Sequence, residues 1–149
     1  MYGNKAKEWG GRMRPTIFLF GEAEKGEYGT PLLCRSMPQL ADTLGNPPED
    51  TQGIFYAVQA ILFERDLFFY RVREEGFSVQ DYMKGLHLLQ GKDVISSLTA
   101  ICIPGVGDAE IIEAVSAVCH VHKSLMVVTQ QDLYDYLTAL PKSFPPDIV

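Results

Sequence analysis

The stretch from Leu98 to Asp132 constrains the fold more than any other part of the chain. Leu98–Ile103 is a short continuous apolar run that stops at Pro104-Gly105, the pattern of a strand buried on both faces. Asp108 follows as a helix N-cap, with Glu110 in the first turn where the helix dipole favours an acid. Ile111, Ile112, Val115, Val118, Cys119 and His122 then fall at 0, +1, +4, +7, +8 and +11, one face of a helix. Leu125–Val128 is a second apolar run, expected as a buried strand. Strand, helix and strand of these lengths predict a βαβ unit, hence a parallel pair with a right-handed crossover. That unit defines a fold class and leaves function open.

Upstream, Pro15–Phe20 is β-branched and aromatic and predicts the first strand. A polar loop, Glu22–Pro31, follows Gly21, and Leu32–Arg35 reads as a short extended piece. Ser36 opens a helix over Pro38–Leu44, with proline in the first turn and Gly45 as its stop. Ile54, Phe55, Val58, Ile61 and Leu62 recur at helical spacing and predict a buried helical face. Leu67–Arg73 is the next strand. Ser78 starts a helix with Val79, Tyr82, Met83, Leu86 and Leu89 on one face, and Gln130–Leu140 is the last helix. The order β-α-α-β-α-β-α-β-α predicts a three-layer αβα domain with a four-stranded, mostly parallel sheet ordered 2-1-3-4. Residues 15–141 form that single domain, with 1–14 a flexible arm and 142–149 an extended tail.

A net charge of −6 disfavours nucleic acid or an anionic membrane as partner. No apolar run reaches the ~20 residues that span a bilayer, so no membrane partner is expected. Cys34, Cys102 and Cys119 are an odd number at unrelated spacings. Two of them lie in the apolar βαβ face and read as reduced core residues; Cys34, beside Arg35, stands outside it.

The chemical motifs fail one by one. The loop after the first strand lacks the Gly-Lys-Ser/Thr of a phosphate loop and carries Glu22, Glu24 and Glu27. Pro104–Asp108 lies at a helix N-terminus, but the acid at its cap opposes an anion. His120 and His122 are alternate residues and cannot chelate from one helical face. No Gly-x-Ser-x-Gly elbow is present. No catalytic residue, metal or cofactor is expected, and the chain does not read as an enzyme. The alternative is a small-ligand or nucleotide-binding α/β protein using the strand ends near Gly21 and Gly105.

Taken together, Gly21-Glu-Ala23-Glu-Lys25-Gly26 with Thr30-Pro31, Tyr56-Ala57-Val58, Phe69–Arg73, Gly85-Leu86-His87-Leu88-Leu89 and Ile101–Gly105 with Asp108 follow one order. That order resembles the core domain of contractile phage tail sheath proteins, from about Ile17 to Leu140. The resemblance implies a structural subunit without chemistry of its own, cytoplasmic or in a virion or tail-like particle, whose partners are copies of itself or other tail proteins. In that family terminal arms add strands to neighbouring sheets. The interface candidates that follow are Trp9 in the arm, Glu22, Glu24, Lys25, Glu27, Tyr28, Thr30 and Pro31 in the loop, and Phe144 and Ile148 in the tail. The acidic loop and the basic Lys5/Lys7/Arg12/Arg14 arm are opposite in charge, so head-to-tail contact is expected.

Overall fold

The structure is a computed structural model that describes residues 14–91, 95 and 97–139. Strands β1 (Thr16–Gly21), β2 (Leu32–Cys34), β3 (Asp66–Arg71), β4 (Leu98–Cys102) and β5 (Leu125–Val127) form one sheet in the order β2-β3-β1-β4-β5. The helices are α1 (Met37–Leu44), α2 (Gly53–Leu62), α3 (Val79–Leu88), α4 (Ala109–His122) and α5 (Gln130–Thr138). The pairs β1/β3, β1/β4 and β4/β5 are parallel, and β2 pairs antiparallel with β3. The four expected strands therefore stand in the expected 2-1-3-4 order. The sheet has five strands, not four, because the extended piece at Leu32 joins its edge. Three residues are too short to show a period. Their pairing, Leu32 opposite Phe69 and Cys34 opposite Leu67, is decided by the strand they meet.

β1 is central and buried along its whole length, and its side chains alternate between two cores. Ile17 and Leu19 join Leu67, Phe69, Ala100 and Cys102 beneath α1, α2 and α5. Phe18 and Phe20 join Tyr70, Val72, Ile101 and Ile103 beneath α3 and α4. This is the three-layer αβα arrangement.

Three expectations about burial are corrected. The α2 face was expected to bury Phe55 and Leu62 beside Ile54; Ile54 is buried, but with Tyr56, Ala57 and Ala60, and Phe55 and Leu62 are exposed. α2 is apolar on every side, so periodicity could not choose its inner face; the small residues that let the helix approach β1 decide it. β5 was expected to be buried, but it lies at the sheet edge with Leu125 exposed. Cys34 was placed outside the core and is fully buried, its side-chain SH donating to the carbonyl of Leu32. Ser78 does begin α3, but its hydroxyl donates to the carbonyl of Glu74 and accepts from the Glu74 N–H rather than capping the helix.

The second core is tightest at Gly85 on α3. A methyl group there would overlap the Phe20 ring and come within 3.0 Å of Tyr70 Cδ2. Phe20 cannot retreat, being packed at 5.0 Å from the Tyr82 ring and 5.4 Å from Tyr70. Alanine gains ~1 kcal/mol of helix propensity over glycine, against ~1–3 kcal/mol for overpacking a rigid core. Gly85→Ala is expected to lower the denaturation midpoint, whereas Gly91→Ala, with open space around it, leaves the midpoint unchanged. Chemical denaturation of both variants checks this.

Candidate functional site at the carboxyl edge of the sheet

In a sheet of this topology, ligands enter where successive crossovers leave in opposite directions, here between β1 and β4. The backbone closes that point. Gly21 ends β1 and Gly53 starts α2, and a Cβ on Gly21 would stand 2.9 Å from the Gly53 Cα. Only residues without side chains let strand end and helix start touch in this way.

A carboxylate from the loop after β3 then fills the helix N-terminus. Glu75 Oε1 accepts from the N–H groups of Glu22 (3.0 Å) and Gly53 (3.1 Å), and Oε2 accepts from Gln52 (2.6 Å). The arrangement is reciprocal, because Glu22 Oε2 accepts from the Glu75 N–H at 2.9 Å. Glu75 thus occupies the place where an anionic ligand would meet the positive end of α2. Burial pushes its carboxyl above the usual range, against the three N–H bonds, and the neighbouring Glu22 adds to the rise.

Two other helices along this edge, α4 and α5, are closed in the same manner. Asp108 Oδ1 accepts from Glu110 N (2.8 Å) and Ile111 N (3.1 Å) at the start of α4. At the start of α5, Thr129 Oγ1 accepts from Asp132 N while Asp132 Oδ2 accepts from Val128 N and Thr129 N. Those bonds hold the Asp132 carboxyl below its ordinary range. A diffusing anion would have to displace tethered carboxylates whose effective concentration is on the order of millimolar or more.

The loop Glu22–Pro31 is braced rather than loose. The N–H of Lys25 donates to the Leu44 carbonyl at 3.1 Å, and the Asn46 N–H donates to Glu24 Oε1 at 2.8 Å. Arg71 Nη1 donates to the Gly26 carbonyl at 2.7 Å and Nη2 to that of Glu24 at 3.3 Å. The Arg71 and Arg73 guanidinium groups lie 4.2 and 4.4 Å from the Tyr28 ring centre. Of the loop candidates, Glu24, Lys25, Glu27, Tyr28 and Thr30 are exposed, while Glu22 and Pro31 are half-buried. Trp9, Phe144 and Ile148 lie outside the described residues, as do Lys5, Lys7 and Arg12. Arg14 is described and turns inward, its Nε 3.2 Å from the Glu64 carbonyl and 3.4 Å from Asp66 Oδ1.

The remaining reactive side chains are engaged in the fold. Burial pushes the Cys34 thiol up to about 11 and raises Cys102 and Cys119 as well, which keeps all three protonated and poorly nucleophilic at neutral pH. His122 Nε2 lies 2.7 Å from the Leu89 carbonyl and so carries its proton there, tying α4 to the end of α3. His120 is exposed. Among the described residues no group of three or more His, Cys, Asp or Glu is placed to hold a metal ion. Sequence reasoning missed Glu75. Its partners are 22, 23 and 53 residues away, and no local pattern announces a bond of that span.

In comparisons with family models, curated proteins and solved structures, nothing matches this chain. Among the described residues no helix is long and apolar enough to cross a membrane.

Glu75 has a readable pH signature. Its folded-state pKa lies above the reference value of 4.5, so its share of stability is present below that value and fades as pH rises through the folded pKa. E75Q removes the titration and keeps Oε1 as an acceptor. Its stability is expected to be flatter than the native protein's above pH 4.5. Glu75→Ala leaves three N–H groups without their acceptor and is expected to cost about 2 kcal/mol. Urea titrations between pH 4 and 7 measure both effects.

Proposed function

We propose that this chain is a structural subunit that acts by protein–protein assembly, like the core of a contractile tail sheath. The observation that carries the reading is the braced loop after β1. Its backbone is tied to Leu44 and Arg71 and its Glu24 side chain to the Asn46 N–H, while Lys25, Glu27 and Thr30 are exposed. A surface already ordered in the free chain loses little conformational entropy when it meets a partner. A catalytic or ligand loop is served by the opposite arrangement, with free N–H groups and room to close. The plugged helix N-termini beside it favour assembly over the small-ligand reading for the same reason.

The partner is a second copy of the chain or another protein of the same particle, met partly through charge. The loop's outward glutamate and the basic residues Lys5, Lys7 and Arg12 have opposite signs. Purified protein is expected to form ordered oligomers with rising concentration at low salt, seen by light scattering and electron microscopy. Glu27→Lys should shift that onset several-fold upward without moving the melting temperature. Oligomers indifferent to Glu27→Lys and to salt would remove the loop from the contact. A purified protein that stays monomeric, with its melting temperature raised by a nucleotide or phosphate, would replace the proposal with the ligand-binding reading.

A further inference from the structure

Strands β1, β3, β4 and β5 all run the same way, so the molecule has two unlike ends, one at the strand starts and one at the carboxyl edge. Charge is divided unevenly between them. Around the carboxyl edge Glu24, Glu27, Glu49, Asp50, Glu74 and Glu110 are exposed, against Lys25 and Arg73 as the exposed cations there among the described residues. The N-termini of α2 to α5 add about half a positive charge each. Glu75, Asp108 and Asp132 already answer three of those, so the exposed acids dominate this end.

The opposite end is cationic. β2 runs antiparallel to β3, which brings Arg35 to the strand starts, where Arg14 also lies. Both guanidinium groups share the one buried carboxylate of Asp66, at 3.4 and 3.5 Å, and their side chains remain 41% and 43% exposed. Arg65 is fixed at the same end, its Nη1 donating to the Phe63 carbonyl at 2.7 Å and its guanidinium 5.1 Å from the Tyr136 ring centre. Lys123 is exposed just before β5, and Glu64 is the exposed acid at this end among the described residues. Arginines already held by the fold lose little side-chain entropy on meeting an anion.

We propose that copies of this chain stack end to end, the acidic carboxyl edge of one seated on the arginine-bearing end of the next. The stack rests on the assembly reading above and supplies a described surface for the acidic loop to meet. A second copy is the occupant that suits both ends at once. A polyanion would satisfy the arginines and be repelled by the carboxyl edge, and a basic protein would do the reverse. Pairing two like ends sets carboxylate against carboxylate or guanidinium against guanidinium, which disfavours a two-fold dimer through either end. Because the unlike ends lie at opposite extremes of the strand axis, each added copy leaves one of each exposed, and the contact continues as an open stack. Exposed ion pairs are individually weak and screened by salt, so the stack forms at low ionic strength and at high local concentration.

Two variants of the full chain test this, one for each end. Glu27→Lys with Glu74→Lys reverses charge at the carboxyl edge, and Arg35→Gln with Lys123→Glu removes it at the other end. By sedimentation velocity at low salt, each double variant alone is expected to raise the concentration at which oligomers appear about tenfold. Mixed one to one, the two variants are expected to form a two-copy species that does not grow, since only one intact end of each remains. Lys123→Glu alone, at an exposed position, replaces the second variant should Arg35→Gln lower the melting temperature, and is expected to shift the onset in the same direction. Oligomers that respond to Glu27→Lys with Glu74→Lys but not to the variants of the other end overturn the stack and leave the assembly reading standing, with residues 1–13 or another protein as the partner of the loop. Oligomers indifferent to every variant overturn both the stack and the loop contact. A native protein that is monomeric at low salt at every concentration also overturns the stack.

Discussion

The Glu75 carboxylate is the interaction on which the edge of this sheet depends. Backbone N–H groups at the start of α2 and at the end of β1 converge on one point, and without an acceptor they would be poorly solvated donors. Supplying the acceptor from the loop after β3 joins three segments that are distant in sequence. It also explains the two glycines. Gly21 and Gly53 must touch for their N–H neighbours to reach the same oxygen pair, and a Cβ on Gly53 would lie 2.8 Å from Glu75 Oε1. The backbone approach and the acid are one device.

That device has a functional consequence through geometry. An α/β sheet concentrates positive helix ends along its carboxyl edge, which is why such edges so often hold phosphates and carboxylates. Here Glu75, Asp108 and Asp132 answer the dipoles of α2, α4 and α5 from within the chain. At those three helices the electrostatic demand that a ligand would meet is already met. Outward, the described residues present a loop tethered through Arg71 and Tyr28 and, on α2, a helix without a charged residue.

Much of the architecture was legible because β1 and β4 are apolar on both faces and short, while α4 has a full helical period and an acid at its cap. Ile17–Phe20 and Leu98–Cys102 read as strands buried on both faces, and the expected 2-1-3-4 order of the four strands is the one the sheet has. The loop Glu22–Pro31 was legible as a loop, though not as a braced one, since Arg71 lies more than forty residues from Gly26. β2 was too short to announce a pairing. The inner face of α2 was misread because Phe55 and Leu62 carry more hydrophobicity than Ala57 and Ala60, and the sheet selects for close fit rather than for apolar bulk.

Sequence by itself determined the local terms: which segments are strands and helices, where glycine and proline stop them, and that no motif of known chemistry is spelled out. These depend on side chains a few residues apart, whose spacing the chain displays directly. Tertiary structure alone decided that Glu75 fills the N-terminus of α2, that Leu32–Cys34 becomes an edge strand, that Cys34 is core, and that the outer side of α2 stays uncovered among the described residues. Each of those outcomes depends on which distant surfaces meet and at what distance. That is a property of packing and not of any one segment.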